Sequence, residues 1–357
     1  MDKRFRAVLL TLASSVVAIS CGDGGSSASA LPPSNEAAAA IATAQQNPMC
    51  IAIQPFYWEI GDRSGVIVSG SVGSGAPTRA TPMAIASASK WLYAAYAVQK
   101  VGGVAGLDPV QDVPFLNFTS GYTWATSLGP GICGRDDTVQ ECVDFNNSTL
   151  DPGNLGLFNY DSGHMEVHAA SRRIGLGPFG NLPLADAVLG TTTGSSNPGS
   201  NTYTEPLLAG GVQSSAAAYA AFLTRMLSGS LAMRDVLIDD GRALGTASYK
   251  VATTGPGTFS PLAGATNAAG RTENWNYSLG HWVEDDPTYG DRALSSAGAF
   301  GFYPWIDRTV TYYGIVARLA PPGGQQYEGF QSAQCGRLIR QAFVQGEAVI
   351  TQTVPTP

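Results

Sequence analysis

Apolar residues recur at spacings of three and four through 89–101, where Trp91, Ala94, Ala95 and Val98 would share one face, and Gly102-Gly103 follows as a stop. The pattern predicts a helix with Ser87 at its N-terminus and Lys90 in its first turn. The Ala-rich run 35–46 follows Pro33-Ser34 and ends at Asn47-Pro48, which predicts a second, capped helix. The period then changes to that of strands. Residues 50–60 and 65–72 are rich in Ile, Val, Phe, Tyr and Trp around the turn-like Gly61-Asp62-Arg63-Ser64, so a hairpin is expected, with Pro55 marking a bulge or an edge.

From 106 to 233 the texture differs. Helical patches at 165–174 and 214–227 are separated by polar and Gly/Pro-rich loops, notably 191–201. Strand composition returns in 275–284, 292–305 and 309–319, and a final helix over 329–344 carries Cys335. Strands at both ends around a helical middle predict an α+β fold: one antiparallel sheet flanked by helices. In this reading 35–105 and 234–350 form an α/β lobe, and 106–233 forms an inserted, mostly helical lobe. No internal repeat or transmembrane segment is visible.

Composition narrows the class. With 357 residues, 44% hydrophobic and 13% charged, the chain can bury a large core, which excludes disorder for most of it. Lys3, Arg4 and Arg6 precede an apolar run over 7–19 that is too short to span a bilayer and suits a secretory signal, so residues 1–20 are read as a signal peptide. Ala18-Ile19-Ser20-Cys21 resembles a bacterial lipobox, with Cys21 the lipidated residue and 21–34 a tether; simple cleavage is the alternative. The expected location is the periplasm, a lipid-anchored membrane surface, or the medium.

Losing 1–20 removes Lys3, Arg4, Arg6 and Asp2, so the net charge of −7 becomes −9. The remaining basic residues form no stripe, which argues against nucleic acid as a partner, and membrane contact would come only through the anchor. With Cys21 lipidated, Cys50, Cys133, Cys142 and Cys335 are an even set in an exported chain. Cys133 with Cys142 is the local pair, and Cys50 with Cys335 would tie the start of the fold to its end. A zinc site lacks any Cys-x-x-Cys spacing.

Chemistry enters at Ile85-Ala86-Ser87-Ala88-Ser89-Lys90. Residues three apart on a helix share a face, so the Lys90 amine can reach the Ser87 hydroxyl, and a lysine in apolar surroundings loses pKa and can act as a base. A capping serine followed by a solvated lysine is the plainer reading. His164, Glu166 and His168 make His-x-Glu-x-His, which is not the metalloprotease spacing, and no metal is assigned to them. His281 lacks a Gly-x-Ser-x-Gly partner. Trp275, Trp282, Trp305, Phe158, Phe302 and Tyr303 are candidates for an apolar cleft or for plain core.

Four further stretches join Ser87-Ala88-Ser89-Lys90 in order: Leu107-Asp108-Pro109-Val110 with Phe118-Thr119-Ser120-Gly121, Phe158-Asn159-Tyr160-Asp161-Ser162-Gly163, Ala209-Gly210-Gly211-Val212-Gln213-Ser214-Ser215, and Ser296-Ala297-Gly298-Ala299-Phe300-Gly301 with Tyr303-Pro304-Trp305-Ile306-Asp307. Together they resemble the serine β-lactamase and penicillin-binding protein superfamily, in the branch of class C β-lactamases, D-aminopeptidases, nylon-oligomer hydrolases and β-lactamase-like esterases. The resemblance spans about 35–345. It implies a β-lactamase/transpeptidase-like fold, Ser87 as nucleophile, and Lys90 with Tyr160 as the proton-moving pair. It also implies an oxyanion hole from the backbone N–H groups of Ser87 and Ala299, with Ser162, Ser296 and Gly298 at the substrate, and no cofactor. A Tyr beside a Lys is expected to lose its proton more easily.

One position departs from the pattern. The third motif usually begins with Lys or His, which meets a substrate carboxylate, and here it begins with the neutral Ser296. The expectation is therefore an exported serine hydrolase that cleaves a small-molecule or oligomeric ester, or a simple amide, through an acyl-enzyme. A β-lactamase or D-Ala-D-Ala peptidase is the first rival, and a non-catalytic binding or sensor protein of the same fold the second.

Overall fold

The computed structural model describes residues 34–123, 133–145, 149–241, 249–320 and 328–355. Helix α1 (Asn35–Gln46) begins where Ser34 accepts a hydrogen bond from the Ala37 N–H, as its sequence predicts. The signal segment, Cys21 and the tether up to residue 33 lie outside the described residues.

The expected strand over 50–60 starts later than the composition suggested. Asn47 accepts from the Met49 N–H at 2.8 Å and Pro48 follows it, so 48–51 make a helical turn, α2 (Pro48–Ile51). Strand β1 (Phe56–Asp62) follows Pro55 and pairs with β2 (Gly65–Val72); the bulge falls at Ile60/Gly61 rather than at the proline. The short β3 (Met83–Ala84) and a 3₁₀ turn (Ala86–Ala88) lead into α3 (Ser89–Lys100).

The middle of the chain carries short strands among its helices: α4 (Val113–Leu116), β4 (Ser120–Thr123), α5 (Val139–Phe145), β5 (Thr149–Leu155), α6 (Gly163–Ala170), α7 (Asn181–Thr193), β6 (Thr202–Tyr203), β7 (Val212–Ser214) and α8 (Ala216–Leu227). Helix α7 was not expected, because Pro183 and Gly190 interrupt its pattern. Its Leu184, Val188 and Leu189 are nevertheless buried, since the helix is held by packing against α3 and α8 rather than by propensity. Helix α8 begins two residues later than expected because Ser214 belongs to β7 and Ser215 is the cap, accepting from Ala218 N–H at 3.2 Å.

Beyond α9 (Met233–Asp240) the run 275–284 is a hairpin rather than one strand, β8 (Asn276–Ser278) and β9 (His281–Val283), turning at Leu279-Gly280. Gly280 has φ +85°, and an added Cβ would overlap Ala94 and reach the Lys90 carbonyl at 3.0 Å, so the hairpin turn presses directly on α3. The run 292–305 likewise divides into β10 (Leu294–Ser295) and β11 (Tyr303–Ile306), leaving the third-motif turn between them. Strand β12 (Tyr312–Ala317) and helix α10 (Glu328–Gln345) complete the fold.

Seven strands pair antiparallel in the order β2-β1-β12-β11-β10-β9-β8, so strands from the two ends of the chain meet where β1 lies against β12, with Trp58 opposite Val316. Both α8 and α10 reach β12, which is buried along nearly all its length. The fold is α+β, and Ser34 onward is one compact unit. Both expected disulfides are present, and Cys50–Cys335 joins α2 to α10 across 285 residues of sequence. No described helix is long and apolar enough to cross a membrane.

The two bridges close loops of very different length, 285 against 9 residues of separation. The longer loop restricts the unfolded chain more, by about 3 kcal/mol from the loop-closure relation. Cys50→Ala with Cys335→Ala should therefore lower the calorimetric midpoint further than Cys133→Ala with Cys142→Ala; equal midpoints would contradict the long-range tie.

Candidate active site

The site begins at a tight turn. Ala86 takes φ +44°, a conformation that costs an alanine energy, and it is held there because the Ser89 hydroxyl donates to the Ala86 carbonyl at 2.7 Å. Ser89 also accepts from the Val212 N–H at 3.2 Å, while Ile85 N–H donates to the Val212 carbonyl at 3.1 Å, so β7 fixes the turn from the other side. Ser87 is thereby presented half-buried at the start of α3.

Lys90, 4% exposed, donates from Nζ to Ser87 Oγ at 3.0 Å and to the Ala209 carbonyl at 2.8 Å. Burial lowers its pKa to about 8, against the opposing pull of Glu166 and Asp161. A tenth or so of such amines are neutral at pH 7, enough to accept a proton from Ser87.

Tyr160 closes the cluster. Its ring stacks on Trp282 at 5.2 Å, meets Phe118 edge-on, and lies 4.8 Å from Lys90 Nζ. Burial in this aromatic box pushes its phenol up to about 12, although hydrogen bonding to Ser87 and Trp282 works the other way. The expected easing of deprotonation by Lys90 does not govern the phenol: desolvation does, and it remains protonated at neutral pH. Tyr160 suits the role of a proton donor.

The third-motif turn packs against the nucleophile turn. The Ser296 hydroxyl donates to the Ser87 carbonyl at 3.1 Å and is nearly buried, so it braces the backbone beneath the pocket. Gly298 is required here, because a Cβ would overlap the Ile85 carbonyl oxygen. The close approach sets Ala299 in the wall of the same cavity as Ser87.

Ser87, Tyr160, Gly298 and Ala299 line one cavity of about 60 Å³, whose other walls include Leu262, Trp275, Trp282 and Phe330. No Lys, Arg or His among the described residues forms part of that wall, and neither Arg271 nor Arg292 reaches it. Ser162 and Ser296 stand outside it; Ser162 precedes α6 without capping it. Trp275 and Trp282 are pocket residues, whereas Trp305, Phe158, Phe302 and Tyr303 are core.

The other candidates have structural partners. His164 bonds Ser120 Oγ at 2.6 Å and the Asn159 carbonyl at 3.0 Å, and burial lowers it to about 4. His168 bonds the Tyr93 hydroxyl and Asp112. His281 is buried against Asp240 at 3.2 Å and stacks on Trp91. Among the described residues no group of three or more His, Cys, Asp or Glu side chains could hold a metal ion.

Two contributors were not legible as such. Ser89 reads as filler within Ser-x-x-Lys, yet it is the hydroxyl that ties the turn to β7. Glu166 reads as part of a histidine pattern, yet it accepts from the N–H groups of Leu208 and Ala209, and burial pushes it up to about 8. An acidic residue within a helix otherwise destined for the core was the one available signal.

No protein-family model and no curated protein matches the chain. Solved structures do. EstCE1, a hydrolase with promiscuous acyltransferase activity, superposes with a TM-score of 0.54 at 14% identity, over 87% of this chain and 98% of its own. A provisionally named 6-aminohexanoate-dimer hydrolase from Bacillus anthracis gives 0.54 at 12% identity, over 83% and 81%. A provisionally named β-lactamase from Bacteroides dorei gives 0.51 at 19% identity, over 80% and 93%. The chain thus has the β-lactamase/transpeptidase-like fold.

Since Gly298 has no room for a Cβ, Gly298→Ala should destabilise the protein by about 1–3 kcal/mol. A crystal structure of the variant should find the 296–302 turn withdrawn from Ile85. An unshifted thermal midpoint would mean that the two turns are not in backbone contact.

Proposed function

We propose that this protein is an exported serine hydrolase that cleaves a neutral ester, or a simple amide, through an acyl-enzyme on Ser87. The observation that carries the reading is the 3.0 Å contact between the buried Lys90 amine and Ser87 Oγ at the base of a pocket that Tyr160 and Ala299 also line. The two disulfides and the signal-like N-terminus support export.

In this mechanism neutral Lys90 takes the Ser87 proton as Oγ attacks the acyl carbon. The resulting oxyanion accepts from the N–H groups of Ser87 and Ala299, whose donors stand ready without reorganisation. Tyr160 gives its hydroxyl proton to the departing alkoxide and regains one from the Lys90 ammonium. Water then enters, loses a proton along the same route, and releases the acid with Ser87 restored.

The preference for an ester follows from charge. A β-lactam or a peptide C-terminus carries a carboxylate, and a charge-assisted hydrogen bond to it is worth roughly 1.5–3 kcal/mol. The pocket wall supplies no cation among the described residues, and Ser296 spends its hydroxyl on the Ser87 carbonyl. A neutral ester requires no such partner.

A fluorophosphonate should modify one serine, mapped by peptide mass spectrometry to Ser87, and Ser87→Ala should abolish turnover with little change in melting temperature. An adduct elsewhere would overturn the assignment, and none in folded protein would favour a non-catalytic binding role. Short-chain p-nitrophenyl esters should exceed cephalosporins in kcat/KM by at least about 10²-fold, or about 2.7 kcal/mol. Comparable rates would replace the esterase reading by a β-lactamase.

The pH profile tests the base. Because the active form of Lys90 is its neutral amine and its pKa is about 8, kcat/KM should rise as pH increases through about 8 and level off above it. A rate that falls over that interval would exclude Lys90 as the proton acceptor.

A further inference from the structure

Behind the lysine lies a carboxyl group for which the mechanism above has no use. Glu166 projects from α6, whose other buried residues are Gly163, His164, Met165, His168 and Ala169, and it is wholly enclosed. Its two oxygens divide between two successive backbone donors: Oε2 accepts from Leu208 N–H and Oε1 from Ala209 N–H, each at 3.1 Å. The carbonyl of that same Ala209 accepts from Lys90 Nζ at 2.8 Å.

The segment so gripped is a turn, not a strand. Gly210 and Gly211 N–H groups both fold back on the Leu207 carbonyl, and Gly211 has no room for a Cβ beside Glu205 and Leu207. The turn returns to the sheet at Gly211, whose carbonyl accepts from the Thr204 N–H at 2.9 Å, and at Val212, the first residue of β7. The Ala209 carbonyl shares its peptide plane with the Gly210 N–H, which the Leu207 carbonyl holds, and Glu166 fixes the two planes before it, so both grips set the direction of that carbonyl. Lys90 donates to that carbonyl one of its two hydrogen bonds, and the other goes to Ser87 itself.

We propose that Glu166 is a positioning residue: by clamping the N–H groups of Leu208 and Ala209 it aims the Ala209 carbonyl at Lys90 and so keeps the amine on Ser87 Oγ. The proposal rests on the hydrolase reading above for its kinetic consequences, but its geometric content is independent of it. A hydrophobic residue of similar size would fill the space and leave two buried N–H groups unpaired, so the turn would have to rotate to satisfy them. A displacement on the order of 1 Å at a catalytic base costs up to about 10²-fold in rate. Glu166 is not among the residues that line the pocket, so substrate affinity should hardly change.

The test uses Glu166→Leu and Glu166→Gln in the full-length protein, with active sites counted by fluorophosphonate titration so that unfolded material is excluded. Per titrated site, kcat for p-nitrophenyl butyrate should fall on the order of 10²-fold in the leucine variant and less in the glutamine variant, whose amide oxygen can still accept one N–H, with KM within about threefold of the parent in both. Crystal structures should find the Ala209 carbonyl turned away from Lys90. A merely structural role predicts a lower melting temperature with kcat per titrated site unchanged, and that outcome overturns the proposal. So does an Ala209 carbonyl still seated on Lys90 in either variant. If the parent protein hydrolyses no ester at all, the hydrolase reading fails on its own, and the position of the Ala209 carbonyl still decides the role of Glu166.

Discussion

The structure is arranged around a lysine amine held out of water. Burying an ammonium costs several kcal/mol in a protein interior, and the cost is tolerable only where hydrogen bonds and nearby charge offset it. Lys90 meets this with Ser87 Oγ, the Ala209 carbonyl, the face of Tyr160 and the negative charge of Asp161. The Ala209 carbonyl and the Tyr160–Asp161 stretch reach it from two places far from Lys90 in the chain. The hairpin turn at Gly280 and the third-motif turn at Gly298 then approach so closely that neither has space for a side chain. Small residues at those two points are a consequence of enclosing the amine.

The same enclosure divides labour between the two ionisable groups. Burial acts in opposite senses on a cation and on a neutral acid: it releases the proton of Lys90 toward physiological pH and retains that of Tyr160. One aromatic box thus yields an amine able to accept a proton beside a phenol able to give one. The pair moves apart in proton affinity without any direct charge between them being needed.

A second buried network supports the pocket wall. Arg337 donates to Glu273 at 2.6 Å, and Glu273 accepts from the Trp275 indole at 2.9 Å, which orients the ring that borders the cavity. Arg340 joins Glu284 and Asp291 and lies over Trp305. Both arginines belong to α10, the helix that Cys335 bonds to Cys50. The long-range disulfide, the sheet closed by β1 against β12, and the rigidity of the pocket wall are therefore one mechanical unit.

Local pattern was enough for what depends on near neighbours. The spacing of Ser87 and Lys90 places hydroxyl and amine on one face of a turn whatever surrounds them, Ser34 caps the helix it precedes, and strand composition at both chain ends implies a shared sheet. Where propensity and packing disagree, packing decided: α7 forms despite Pro183 and Gly190 because α3 and α8 bury its apolar residues, and residues 48–51 turn into a helix once Asn47 caps them. The use of individual polar groups was beyond the sequence for the same reason. Ser296 could have faced a substrate and instead holds the Ser87 carbonyl, Tyr160 could have been a base and is kept protonated, and Glu166 could have been a surface charge and instead grips the turn that carries Ala209. Hydrogen-bond partners far apart in the chain and the loss of solvent around them exist only once the chain has folded, so the sequence determined which groups are present and the tertiary structure determined what each of them can do.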